Sequence, residues 1–375
     1  MSGTVKIPFF GVDRQYANLR EEILDATDLV YSSGKVLDGE NTYMFEKTIA
    51  KMSERKYACA VGSCTQALIF ALRATDNEYF PGQHNKILIP AQSFVATINS
   101  VLEAGFDPVF CDVDSVTGLI DLNKIPVPAD ELAAIMYVNL FGNVLNQEQL
   151  ITYMEMFSEH KIPVIEDAAQ SFGAYYRGVP SGKLGDVSCL SFDPTKNLNN
   201  YGSGGMILTD DPAIWELIAD YRDNGKSNEH IQSGTNSKMS EADCAQMLVK
   251  LKYFDQWQAR RQQIAEYYTE ELDGLVGIPP VDMNVEHAWS KYVIHHHSRS
   301  TLRVNLMNAG IETRINYELP LHQQAVAFSF TSFNDTGILE GAEQFSKTCL
   351  SLPIYPELTD LEVEQVVEEV RQNLY

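Results

Sequence analysis

The sequence predicts an α/β fold: a large domain with a mostly parallel central sheet, followed by a smaller C-terminal α+β domain. Between residues 86 and 250, short apolar runs bounded by Gly, Pro, Asp or Asn recur, as buried strands do. Helix-length stretches separate these runs, and that alternation implies crossover connections and a parallel sheet covered on both faces. From about Ser240 the texture changes to long helical stretches. A boundary near 245–255 follows, drawn as a large domain 1–248 and a small domain 249–375.

In chain order, the spacing predicts first a helix over 65–74, with Ala67, Leu68, Ala71 and Leu72 turned inward. Strands follow at 87–89, 108–113, 133–140, 163–165, 187–192 and 206–209, with helices over 94–104 and 145–161 between them. The span 241–272 reads as one or two long helices. Beyond it lie segments at 289–296 and 302–309 and a terminal helix near 360–373.

Three places along this framework suit chemistry. Gly62-Ser63-Cys64-Thr65 opens the first helix, so free backbone amides converge where a phosphate or carboxylate can bind. The alternative is an ordinary N-cap made by Ser63 or Thr65. Asp167 and Gln170 follow the strand at 163–165, at the carboxyl end where parallel sheets bind ligands; capping of the next helix is the other reading of Asp167. Between the strands at 187–192 and 206–209, Ser191 and Pro194 precede Lys196, and a Gly-rich turn follows at 202–205. Partial burial there would suit a lysine to Schiff-base chemistry, against the alternative of a solvated loop lysine.

Composition removes other classes. The 375 residues carry a formal charge of −23 and no run of Lys and Arg, which argues against nucleic acid or an anionic membrane as partner. No segment approaches the roughly 20 apolar residues of a membrane span, and the first ten residues do not read as a signal peptide. The six cysteines form no C-x-x-C pair. The expectation is a soluble cytoplasmic protein. Neither G-x-G-x-x-G nor the P-loop pattern occurs, which counts against a nicotinamide oxidoreductase. His295-His296-His297 lies in a strand-like segment whose side chains alternate between faces, so no metal site is expected.

The long run VIEDAAQSFGAYYRGVPSGKLGDVSCLSFDPTKNL, then GSGGMILTDD, resembles the core signature of the sugar aminotransferases of the DegT/DnrJ/EryC1/StrS type. GKVLDGENTYMFEKTIA, GSCTQALIFALRA, PAQSFVATINSVLEAGFDPVFCDVD and GIETRINYELPLHQQ extend the resemblance nearly end to end. It implies a fold-type I enzyme dependent on pyridoxal 5'-phosphate. By resemblance, Lys196 carries the cofactor as a Schiff base and moves the proton. Asp167 pairs with the ring nitrogen, Gln170 with the ring oxygen, and Phe94 stacks on the ring. Ser63, Cys64 and Ser191 hold the phosphate. Asn236, in Gly234-Thr235-Asn236, is lent by a neighbouring subunit, so a homodimer with shared sites is implied. Lys238 stands where the family usually has Arg, at a substrate contact. Arg314, Tyr317 and His322 are the other implied substrate-binding residues, with Arg314 a candidate for a carboxylate and a structural ion pair its alternative.

The implied reaction moves an amino group from L-glutamate, leaving 2-oxoglutarate, to a keto or aldehyde sugar for surface polysaccharide or lipopolysaccharide. An 8-oxo sugar acid giving 8-amino-3,8-dideoxy-manno-octulosonate is one acceptor; a nucleotide-linked 3-keto or 4-keto sugar, as in the perosamine branch, is the other. Dehydratase relatives replace the lysine by histidine, so Lys196 favours transamination. A non-catalytic regulatory relative is the rival from another class, and the joint presence of Lys196, Asp167 and Gln170 opposes it.

Overall fold

The computed structural model describes residues 6–79, 82, 84–156, 162–226, 233–329 and 338–374. The chain opens with helices α1 (Val12–Ser33) and α2 (Glu40–Met52). Strand β1 (Tyr57–Val61) leads into α3 (Cys64–Tyr79), then β2 (Lys86–Pro90), α4 (Ala96–Ala104), β3 (Asp107–Cys111) and β4 (Leu132–Val138). Helix α5 (Gln147–Met156) covers the described part of the helix expected over 145–161; residues 157–161 lie outside the described residues. Next come β5 (Val164–Asp167), the short pair β6 (Tyr175–Tyr176) and β7 (Val179–Pro180), β8 (Val187–Ser191), β9 (Gly205–Thr209) and α6 (Pro212–Arg222).

The seven-stranded sheet runs β1-β9-β8-β5-β4-β2-β3. The pairs from β8 to β3 are all parallel, and β9 alone runs antiparallel to both its neighbours. Its reversal has a local cause. No crossover helix separates β8 from β9, only the Lys196 loop and its Gly-rich turn, so the chain doubles back along the strand it has just left. Strand periodicity then divides the core. Ile87, Ile89 and Phe110 pack with α3 on one face, while Leu88, Val109 and Cys111 pack with Ile135 on the other.

The span expected as one or two helices is two: α7 (Glu241–Leu251) and α8 (Phe254–Leu272). Ser240 caps α7 through Asp243, and α7 packs on α1 and α2. Its buried Glu241 accepts hydrogen bonds from the amides of Gly39, Asn41 and Thr42 at the start of α2. Helix α8 instead packs with β11 (Tyr292–His295), α9 (Arg299–Asn308), β12 (Cys349–Leu352) and α11 (Asp360–Gln372), while β10 (Val285–Glu286) pairs antiparallel with β6 and α10 (Glu340–Thr348) buries Ala342 and Phe345 against the cores of the large sheet. Strands β11 and β12 pair antiparallel, and Ile264, Tyr268, Ile294, Leu306, Leu350 and Val366 make their core with the helices. Ile7, from the other end of the chain, joins this cluster and bridges to Ile311. Among the described residues, no helix is long and apolar enough to cross a membrane.

Candidate active site

A cleft of about 570 Å³ opens where Val138, Asp167 and Ser191 end β4, β5 and β8. This is the carboxyl edge of the parallel strands, as the sequence predicts.

Alternation along β5 separates two neighbouring carboxylates. Glu166 points away from the cleft, and Ser181, Ser188 and the amides of Gly182 and Leu184 satisfy it. Asp167 points into the cleft. It is 4% exposed and accepts from the amide of Ala169 at 3.1 Å and from the Thr97 hydroxyl. Among the described residues, no basic side chain lies within ion-pair distance of it. Burial therefore dominates and lifts its carboxyl to about 6, against the Ala169 amide and Lys196, which act the other way. A buried carboxylate without a cation calls for one from a ligand.

The turn that opens α3 suits an anion. Ser63 Oγ accepts from the Gln66 amide at 3.2 Å, so the N-cap alternative is realised, while the amides of Cys64 and Thr65 at the start of α3 have no intrahelical acceptor. Ser191 joins them from β8. Gly205 lets β9 pass against this turn: a Cβ there would lie 2.5–2.6 Å from atoms of the Ser63–Cys64 peptide. Gly205→Ala is therefore expected to push the turn outward and weaken phosphate binding about tenfold or more. Titration of cofactor-free protein with pyridoxal phosphate checks this, and an unchanged affinity would remove the turn from the phosphate site.

One wall is aromatic. Phe94 is 51% exposed, and its ring lies 5.7 Å from that of Tyr317. Gln170 ties the wall to the sheet: its Oε1 accepts from the Phe141 amide at 3.0 Å, and its Nε2 donates to Tyr317 Oη at 3.2 Å. Burial pushes the Tyr317 phenol well up, so it stays neutral.

Lys196 also lines the cleft. Asp193 shapes its loop, accepting from the Lys196 amide through its carbonyl and from the Thr195 amide and hydroxyl through its carboxylate. The Lys196 side chain is half-buried, and among the described residues its Nζ has neither hydrogen bond nor ion pair. It sits within the cleft rather than on an open surface loop.

The remaining predicted residues divide. Arg314 reaches the cleft and also pairs with Glu312 at 2.5 Å, so both of its alternatives hold. His322 does not line the cleft. It lies 3.6 Å from Glu343 and edge-on to Phe110, and burial lowers its imidazole. Lys238 is likewise absent from the cleft of its own chain, because it is held by Asp223 and by Asp38 at 3.6 Å. Asn236 is exposed, outside this cleft, and bridges through its backbone to Asp223. His295 of the triple histidine is engaged by Thr348 and the Val116 carbonyl. The sequence reading missed Phe9 and Phe10, which line the cleft from the N-terminal segment, and Lys291, a buried lysine at the entry to β11. The one signal for Lys291 is a lysine inside an otherwise apolar stretch.

The cleft fits pyridoxal phosphate. It offers amides for the phosphate, an aromatic wall, a buried carboxylate lacking a cation, and an amine lacking a partner. The comparisons agree. The chain is 34% identical over 375 residues to a Geobacillus stearothermophilus protein called a pleiotropic regulatory protein, covering 98% of each chain. It is 31% identical to the dTDP-3-amino-3,4,6-trideoxy-alpha-D-glucose transaminase of Streptomyces venezuelae, covering 98% of this chain and 96% of that one. Its structure matches that of DesV from S. venezuelae in complex with a ketimine intermediate, with a TM-score of 0.90, 29% identity and 98% of each chain covered. Residues 17–371 match the model of the DegT/DnrJ/EryC1/StrS aminotransferase family, and the chain belongs to that family of pyridoxal-phosphate-dependent sugar aminotransferases.

Proposed function

We propose that the chain transfers the amino group of L-glutamate to the aldehyde of an 8-oxo sugar acid, giving 8-amino-3,8-dideoxy-manno-octulosonate. The observation that carries the transamination is the convergence of Lys196 and Asp167 in one cleft. Pyridoxal phosphate, when bound, supplies an electron sink for the carbon that exchanges its amino group. Asp167, as the carboxylate, holds the proton on the ring nitrogen. Lys196 Nζ would carry the proton from the donor's Cα to the cofactor carbon that receives the amine in the first half-reaction, and from that carbon to the acceptor's carbonyl carbon in the second. Gln170 orients Tyr317, and with Phe94 they shield the reacting face from water. Ser63, Cys64 and Ser191 hold the phosphate, and Asn236 of a second copy completes that end. Its exposure outside its own cleft supports such a loan, and with it a homodimer.

Arg314 supports the acid acceptor. Its side chain is 53% exposed at the cleft, so it suits a carboxylate remote from the reacting carbon. Such an activity belongs to cytoplasmic synthesis of lipopolysaccharide sugars. A nucleotide-linked keto sugar is the second reading, favoured by the Streptomyces relative. Colour tests both. L-glutamate should bleach the yellow protein and 2-oxoglutarate should restore it. The bleached protein should regain colour with the 8-oxo sugar acid. Recovery only with nucleotide-linked sugars would select the second reading, and no bleaching by any L-amino acid would leave a non-catalytic regulator.

A further inference from the structure

We propose that Lys291 anchors the α-carboxylate of the amino donor. This inference rests on the glutamate-donor reading. Lys291 lines the cleft yet is only 7% exposed. Its Nζ donates to the Thr195 carbonyl at 3.2 Å and to the Ser290 carbonyl at 3.0 Å, and it faces the ring of Phe10 at 4.9 Å and that of Phe9 at 5.8 Å. An ammonium has three N–H donors. Two are spent on neutral carbonyls, and among the described residues no carboxylate lies within ion-pair distance to match the charge. Lysine is rarely this buried unless paired. The pair must come from what enters the cleft.

Lys250 shows the contrast. It is also buried, but it does not line the cleft. Its Nζ lies 3.5 Å from the centre of the Tyr201 ring, donates to the Asn199 carbonyl and has Glu357 as an acidic neighbour. There the ring and the acid oppose the burial that lowers the amine to about 7. For Lys291 the balance differs. Lys196 and Arg261 are neighbours of the same sign. Asp193, the one acid that favours its charge, is engaged by Thr195. Asp167 and Arg314 are the other charged groups of the same cleft.

Depth identifies which carboxylate. The hold on Thr195 places the Lys291 amine one peptide away from Lys196, which handles the reacting carbon. The donor's α-carboxylate is bonded directly to that carbon. The donor's second carboxylate, and the carboxylate of an eight-carbon sugar acid, lie farther out, where Arg314 is.

A signature in pH follows. Burial, helped by Lys196 and Arg261, holds the Lys291 amine well below the ordinary lysine value. An adjacent carboxylate raises it again. Binding therefore takes up a proton, and it weakens as pH rises between the free and the bound values, by up to tenfold per unit.

The experiment is calorimetry of maleate, a dicarboxylate with no amine to react, binding to the holoenzyme between about pH 7 and about pH 9 in buffers of different ionisation heat. Protons taken up by the cofactor are read from its colour and subtracted. The wild-type protein should take up a further proton. Lys291→Met should keep its colour, bind maleate at least about tenfold more weakly and lose the uptake. Lys291→Arg, permanently charged, should bind without uptake, and it carries the test should the Met variant fail to fold. An Arg variant with the wild-type pH slope, or a wild-type protein with no excess uptake, overturns the assignment. L-glutamate bleaching separates the two readings. If glutamate bleaches the wild-type protein and Lys291→Met binds maleate unchanged, the assignment of Lys291 fails alone. If glutamate does not bleach it, the donor reading fails and takes the α-carboxylate with it.

Discussion

Lys196→Ala is expected to lower turnover on the order of 10⁵-fold or more while leaving the fold in place. The two halves of this result have separate causes. Removal of an amine that forms the covalent link to the cofactor and moves the proton leaves no group to do either. The fold, in contrast, hardly uses the side chain: Lys196 Nζ has no hydrogen bond or ion pair among the described residues, so alanine orphans no partner. A stability change within about 1 kcal/mol is expected. Lys196→Arg should be equally inactive, because a guanidinium stays protonated and is no nucleophile. Borohydride reduction followed by peptide mapping gives the direct measurement. The label should fall on Lys196 in the wild-type protein and be absent from both variants. Label on Lys291, the other lysine of the cleft, would overturn this assignment of roles.

What the sequence discloses and what it hides follow from how far apart the cooperating residues lie. Asp167, Gln170, Ser191 and Lys196 fall within thirty positions on adjacent strands, so strand periodicity and turn residues alone put them at one edge of the sheet. The amides at the start of α3 are legible for the same reason: they belong to a local turn. Lys291 meets Thr195 from 96 positions away, where the segment entering β11 comes back onto the Lys196 loop, and no local pattern marks that meeting. Phe9 reaches the cleft because Ile7 is tied to Gly310 and the Phe9 amide to Glu312. Lys238 and His322 show the opposite failure. A motif brought them to notice, but Asp223 and Glu343, acids whose pairing is set by tertiary packing, hold them away from the cleft of their own chain. The net charge of −23 supplies many carboxylates for such pairings. Amines that line the cleft with no carboxylate partner among the described residues, Lys196 and Lys291, stand apart from Lys238 and His322 in this respect.

Asp167→Asn is expected to make the cofactor-free protein more stable and the enzyme slower by about 10²–10⁴-fold. Burial raises the Asp167 carboxyl from 3.8 to about 6. A raised value in the folded state means that stability is fully present below the unfolded value and is lost as pH rises through about 6. Above that, the ionised carboxylate costs the empty fold about 3 kcal/mol. Asparagine cannot ionise, and its carbonyl can still accept from the Ala169 amide and the Thr97 hydroxyl. Cofactor-free Asp167→Asn should therefore melt higher than the wild-type protein at about pH 8, with the gap closing towards about pH 4. The cofactor reverses the order. If its ring nitrogen faces Asp167 as proposed, it supplies the cation that the buried carboxylate lacks, and the wild-type protein should gain more Tm from pyridoxal phosphate than the variant, the gain growing as pH rises through about 6. Equal melting of the two cofactor-free proteins at about pH 8 would show that Asp167 carries no such cost, and a cofactor-induced rise in Tm that is the same in both would show that its charge does not face the ring.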